Sequence, residues 1–189
     1  SGTCLAERGH QVTCVDIRPE VVQEINAGRP PIHEIGLDEL LRSAREKEML
    51  SATTDARTAI RDSDVTLICV GTPTVDGRMD MSQIVAAAKE IGTALADKRG
   101  YHVVAVKSTV LPGTTEGPVK AAIESQSGKK VGEGWGLCMN PEFLREGRAI
   151  EDFRVPDRIV VGATDSTTAE AFLRAYADST CPKLVTTPR

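Results

Sequence analysis

No apolar run in these 189 residues approaches the length of a membrane span, and no secretory signal precedes the first helix pattern. Positive charge is not in excess. The net charge of −4 and a pI near 5.5 exclude the basic footprint of a nucleic-acid or anionic-membrane surface. The five cysteines (Cys4, Cys14, Cys69, Cys138, Cys181) stand singly, with no CxxC and no His-rich spacing, so a metal centre is not expected. Dispersed single thiols predict a reduced, cytoplasmic protein. His10, His33 and His102 lie far apart in different contexts and suggest no catalytic pair. Also missing is a GxGxxG turn, and no Met precedes Ser1. What is present is ordinary for a globular domain: 40% hydrophobic and 26% charged residues, enough to bury a sizeable core.

The chain alternates strand and helix patterns. Strands are expected at Val12–Asp16, Leu50–Thr53, Val65–Val70, His102–Lys107, Trp135–Met139, Arg158–Val161 and Leu184–Thr187. Most are continuous apolar runs, as in a sheet covered by helices on both faces. Between them run helices at Pro19–Ala27, Leu37–Glu48, Asp55–Arg61, Ser82–Ala96, from Pro112 to about Ser125, and at Thr167–Tyr176. This order predicts right-handed βαβ units and an α/β, Rossmann-like, doubly wound and mostly parallel sheet. A helix already under way at Gly2–Arg8 implies that the first strand and the glycine-rich loop are lacking. The expected organisation is one NAD-binding domain over residues 1–189, truncated at both ends.

Ligands of open parallel sheets bind beyond the C-terminal strand ends. Four such ends carry polar or tight-turn residues: Asp16, Gly71-Thr72-Pro73, Lys107-Ser108-Thr109 and Asn140-Pro141-Glu142. Asp16 can accept hydrogen bonds from both adenosine-ribose hydroxyls and repel a 2′-phosphate, favouring NAD over NADP, while Arg18 can soften that preference. Asp16 is equally an ordinary loop acid. Thr72-Pro73 and Ser108-Thr109 can hold the nicotinamide half or order water, or else cap helices. After the strand Trp135–Met139, Asn140 is a suitable N-cap and Pro141 a suitable first helical residue. Glu142 and Glu146 would then share one helical face, either as acid and base or sugar ligands, or as solvated first-turn acids. Cys181-Pro182-Lys183 precedes a terminal strand in a polar stretch and reads as a passive thiol.

At these residues the chain closely resembles the UDP-glucose/GDP-mannose 6-dehydrogenase family, in its N-terminal NAD-binding domain. The matching stretches include Cys4–His10, Val15-Asp16, Asn26–Ile32, Ile68–Pro73, Lys107–Thr114, Asn140–Gly147 and Pro156–Arg158, in family order along nearly the whole chain. The resemblance implies oxidation of the C6 hydroxyl of a nucleotide-linked hexose to a carboxylate with two NAD, through a cysteine-bound thioester. It implies that Asp16 binds the adenosine ribose and that Thr72, Pro73 and Thr109 line the NAD site, Thr109 also ordering water. Glu142 would assist hydrolysis and proton transfer, Phe143 and Leu144 would contact the nucleotide-sugar substrate, and Glu146 would sit near cofactor ribose and substrate. Catalytic roles would fall to Thr109, Glu142 and Glu146. Arg18 and Ser108 complete the expected cofactor residues. The full-length form is expected to be a homo-oligomer.

The departures are specific. The glycine-rich loop, the central helix with its Lys and Asn, and the GGxCFPKD-type segment with the nucleophile are not in these residues. The fragment alone is therefore expected to be inactive. Val21 stands where the family often has a basic residue, and Ile35 where it usually has Pro. Ser127–Lys130 and Val110–Gly113 look more like GDP-mannose than UDP-glucose members. The competing readings are a non-catalytic nucleotide-binding or assembly fragment, and another Rossmann β-hydroxyacid dehydrogenase. The Asn140–Gly147 motif argues against the latter.

Overall fold

A computed structural model describes residues 1–188. In chain order the elements begin with α1 (Gly2–Glu7), β1 (Val12–Val15), α2 (Pro19–Asn26), α3 (Leu37–Glu46), β2 (Leu50–Thr53), α4 (Ala56–Arg61) and β3 (Val65–Ile68). A hairpin of β4 (Thr74–Val75) and β5 (Arg78–Met79) precedes α5 (Ser82–Ala96), β6 (His102–Val106) and α6 (Lys120–Ser127). The chain closes with β7 (Trp135–Met139), α7 (Ala149–Arg154), β8 (Ile159–Ala163), α8 (Ser166–Leu173) and β9 (Lys183–Thr186). The described residues divide into two compact units, one of residues 1–59 with 143–157 and one of residues 60–142 with 158–188.

In the first unit β1 and β2 pair in parallel, Val12 opposite Leu50 and Val15 opposite Thr53. Leu37, Leu40, Leu41 and Ala44 follow helical spacing, and α3 buries the last three of them. Leu41 and Ala44 form a core with Ala6 and Leu50. Asn26 closes α2 onto β2: its side-chain amide donates to the Ala52 carbonyl (2.8 Å), and its Oδ1 accepts from the Ala52 N–H (2.9 Å). On α7, Arg154 pairs with Glu7 at 2.6 Å, and the Arg8 guanidinium lies 4.9 Å from the Phe153 ring centroid. Asp55 caps α4 as its position predicts, its Oδ1 accepting from the Thr58 N–H at 3.0 Å.

The second unit holds a five-stranded sheet in the order β3-β6-β7-β8-β9. All five residues of β6 are buried, as a central strand covered on both faces requires. Ile84, Ala88, Ile91 and Leu95 form the buried stripe of α5. Gly92 lets α6 come close, since a Cβ there would lie 2.7 Å from the Ile123 carbonyl oxygen. In the hairpin, Asp76 and Gly77 both have positive φ (50° and 72°), the two-residue turn that an Asp-Gly pair favours.

Two expectations change here. β7 and β8 are antiparallel, in a sheet that is otherwise parallel. The six residues of α7 rise only about 9 Å. A return past a five-residue strand needs roughly 16 Å, so α7 alone is no crossover helix. Residues 140–145 are also not helical: a turn lies at Glu146-Gly147, and the helix begins only at Ala149. Asn140 cannot cap a helix because its side chain is engaged inside the fold, and Gly147 turns the chain with φ +80°. Glu142 and Glu146 therefore do not share a helical face.

Candidate functional site

The register Ile68↔Val106↔Met139 aligns the C-terminal ends of β3, β6 and β7, placing three of the four predicted junctions on one edge. Asp16 ends β1, in the separate two-stranded sheet of the first unit.

At the shared edge, the chain leaving β6 is held by its neighbour: the Lys107 and Ser108 N–H groups both donate to the Ile68 carbonyl (2.9 and 3.0 Å). The Ser108 hydroxyl donates to the Val70 carbonyl at 2.6 Å, and the Thr72 hydroxyl to the Thr109 carbonyl at 2.7 Å. These hydroxyls stitch the two strand ends together and cap no helix. Their oxygens retain lone pairs that can accept from a ligand. Thr109 and Pro73 are exposed beside them.

Asn140 is buried at the end of β7 and organises the centre of the edge. Its N–H donates to the Val106 carbonyl (2.9 Å), and its side-chain amide donates to the Val160 carbonyl (2.9 Å). Its Oδ1 accepts from Lys107 Nζ at 3.3 Å and from the Tyr176 hydroxyl at 3.5 Å. Lys107 is only 6% exposed and also reaches Glu142, Nζ to Oε2 3.5 Å, whose side chain is 41% exposed. A buried ammonium ion requires such partners. The result is a carboxylate open to solvent on one side and fixed by a cation on the other, able to accept a proton or bind a hydroxyl in a defined place. Beside it an open recess of about 190 Å³ is lined by Leu111, Pro112, Thr115, Met139, Pro141 and Thr187.

In the first unit Asp16 is paired with Arg18. Its Oδ1 accepts from the Arg18 N–H (2.9 Å) and Nε (3.2 Å), and its Oδ2 from a terminal guanidinium nitrogen (3.4 Å). Partial burial pushes the Asp16 carboxyl up, but the Arg18 hydrogen bonds and charge outweigh it and leave the group below its ordinary value. Each oxygen keeps acceptor capacity for a ribose hydroxyl, so this end fits the adenosine half of a dinucleotide. No GxGxxG turn occurs in these residues to take a pyrophosphate.

The loop after Glu142 belongs to the first unit. Phe143 and Glu146 are exposed, and Leu144 is half-buried. Arg145 is fixed to Asp152 by its N–H, Nε and a terminal nitrogen (3.0, 3.0 and 2.7 Å). That guanidinium holds the Asp152 carboxyl down at about 2. Sequence reasoning gave no role to Glu34, named Lys107 only as part of a strand end, and read Asn140 as a helix N-cap rather than as the centre of the edge. The signal for Lys107 was available: a cation directly following an unbroken apolar strand is placed where burial begins.

No group of His, Cys, Asp or Glu suited to a metal is found among the described residues, and no helix there is long and apolar enough to cross a membrane. Burial pushes the Cys138 thiol up to about 12, which makes it inert, and it also raises Cys4 and Cys14. Cys181 sits with its sulfur 3.3 Å from the Ser179 hydroxyl.

Comparison with known proteins gives a consistent set. A family model described as "UDP-glucose/GDP-mannose dehydrogenase family, NAD binding domain" matches residues 1–180. GDP-mannose 6-dehydrogenase of Pseudomonas aeruginosa is 44% identical over 180 residues, which is 95% of this chain and 41% of the relative. UDP-glucose 6-dehydrogenase AglM of Haloferax volcanii is 46% identical over 176 residues, 92% of this chain and 40% of the relative. A ternary complex of GDP-mannose dehydrogenase from Pseudomonas aeruginosa superimposes with a TM-score of 0.96 at 42% identity, covering 99% of this chain and 43% of that one. These neighbours establish an α/β Rossmann fold with a mostly parallel sheet. The chain spans about two fifths of the length of the curated relatives it matches.

Proposed function

The chain belongs to the UDP-glucose/GDP-mannose dehydrogenase family, and from that premise we propose that it is the NAD-binding portion of a nucleotide-sugar 6-dehydrogenase. The whole enzyme would oxidise UDP-glucose or GDP-mannose to the uronic acid in a cytoplasmic, homo-oligomeric form. The observation that carries the reading is the Lys107–Asn140–Glu142 cluster at a strand-end edge shared with Thr72, Ser108 and Thr109. Bound NAD supplies a hydride acceptor. Within the first unit, Asp16 would hold the ribose hydroxyls, Arg18 would tune the preference against a 2′-phosphate, and Glu146 would add a further polar contact. In the second, Thr72, Pro73, Ser108 and Thr109 would line the nicotinamide side, and Thr109 would order water. Glu142, fixed by Lys107, would accept the proton of that water, with Phe143 and Leu144 contacting the sugar nucleotide.

The test is turnover in a full-length polypeptide carrying these residues. Two NADH should form per UDP-glucose or GDP-mannose, and Glu142→Gln should lower kcat by about 100-fold, the scale of a lost general base. Undiminished turnover in the Glu142→Gln protein would remove Glu142 from the mechanism. Failure to oxidise either sugar nucleotide would remove the substrate assignment.

A further inference from the structure

Glu34 lies in the loop before α3 between exposed neighbours, His33 and Ile35, yet it is only 7% exposed. A buried carboxylate must be satisfied, and here the partners are backbone amides far away in the chain. Its Oε2 accepts from the Gly147 N–H at 3.0 Å and its Oε1 from the Ala149 N–H at 3.2 Å. On the other side of Glu146, the Arg145 N–H is held by Asp152 Oδ2 at 3.0 Å. The residues flanking Glu146 are thus each tied by a carboxylate, one inside α7 and one more than a hundred residues upstream. Gly147 turns here with φ +80°, a region that glycine populates about as readily as negative φ, so sterics alone do not hold the turn and the amide hydrogen bonds can. Nearby, a Cβ placed on Gly36 would lie 3.8 Å from Ile150 Cδ1, so the end of the Glu34 loop runs close to α7 as well as bonding to its approach.

We propose that Glu34 is a positioning residue: its carboxylate clamps the Gly147 and Ala149 amides and so sets the place of Glu146. The part of the inference that concerns dinucleotide binding rests on the proposed function, while the clamp itself does not. Loss of a hydrogen bond from an amide to a carboxylate raises local opening by roughly tenfold or more. Glu34→Ala removes both bonds. Glu34→Gln keeps one carbonyl oxygen and turns an NH2 group towards the other amide, so it should restore only one of the two.

Amide hydrogen exchange and NAD titration of the purified chain test this together. In Glu34→Ala, exchange at Gly147 and Ala149 should rise about tenfold or more, with the β2 amides of the same unit unchanged; in Glu34→Gln only one of the two sites should recover. If Glu34 acts through Glu146, Glu34→Ala should weaken NAD by about three- to tenfold, and by less than about 1.5-fold when Glu146→Ala is already present. Unchanged protection at both amides in a folded variant would overturn the clamp, and equal weakening of NAD with and without Glu146 would overturn its action through Glu146. Should the wild-type chain bind no NAD, the binding reading fails, and the exchange data alone decide the clamp, in favour if both amides lose protection and against if they do not.

Discussion

At the end of β1, Asp16 and Arg18 pair in the open, their side chains 30% and 61% exposed, and both can be screened by salt. After β6 and β7, Lys107 is 6% exposed and reaches Asn140 and Glu142 from inside the sheet edge. The chemistry is similar, an acid beside a base at a strand end, but the surroundings differ. The open pair can separate at little cost, so it suits a carboxylate that must exchange its partner for ribose hydroxyls. The buried lysine cannot leave without stranding its own charge and leaving the Asn140 Oδ1 to the Tyr176 hydroxyl alone. It serves as fixed scaffolding for Glu142, whose side chain faces solvent.

The largest effect expected from this contrast is in the buried polar core of the second unit. His102 is fully buried; its Nδ1–H donates to the Ser63 carbonyl (3.0 Å) and its Nε2 accepts from the Thr66 hydroxyl (2.9 Å). Burial first, and then the positive charge of Lys98, lower its value to about 4 against the opposing pull of the Ser63 carbonyl and Asp64. An unfolded His titrates near 6.5, so the unfolded chain takes up the proton first. The contribution is complete above about pH 6.5 and drains away as the pH falls towards 4, by about 3 kcal/mol at most. Urea titrations at pH 7 and pH 4 should show this loss in the wild type and a smaller one in His102→Gln. An identical loss in both proteins would place the pH sensitivity elsewhere.

Next in size, Lys107→Ala should cost about 2 kcal/mol by urea denaturation, through lost packing and the loss of the Lys107 bond to the Asn140 Oδ1. Lys107→Met keeps the buried stem and should recover about half of that. Asn26→Ala, which removes both bonds to Ala52, should cost about 1–2 kcal/mol. The smallest change should come from Arg18→Ala, whose urea midpoint should stay close to that of the wild type, because an exposed pair contributes little. A large loss for Arg18→Ala, or none for Lys107→Ala, would cancel the distinction between the two strand ends.

Much of this was legible in the sequence, because the signals are local. Apolar runs gave β3, β6 and β7, the spacing of Leu37, Leu40, Leu41 and Ala44 gave α3, and Gly28 and Gly128 mark helix ends with positive φ. The helix expected at Asn140–Glu146 failed because the same local signals were overruled from a distance. Asn140 has good capping chemistry, but Lys107, Val160 and Tyr176 engage its side chain. Glu34 was illegible for the same reason: its partners lie 113 and 115 residues away. Of the expected site residues, Thr72, Ser108, Thr109 and Glu142 converge on one edge, while Asp16, Arg18 and Glu146 fall in the other unit. Strand periodicity locates strand ends but carries no information about which sheet a strand joins.

The measurement that decides the account is calorimetric titration of the purified chain with NAD and with NADP, at fixed ionic strength, for the wild type and Asp16→Ala. NAD should bind at least about tenfold more tightly than NADP, a difference of about 1.4 kcal/mol, and Asp16→Ala should remove that preference. Equal affinity for the two dinucleotides, or a preference untouched by Asp16→Ala, would contradict the assignment of Asp16 as the ribose anchor of an NAD site.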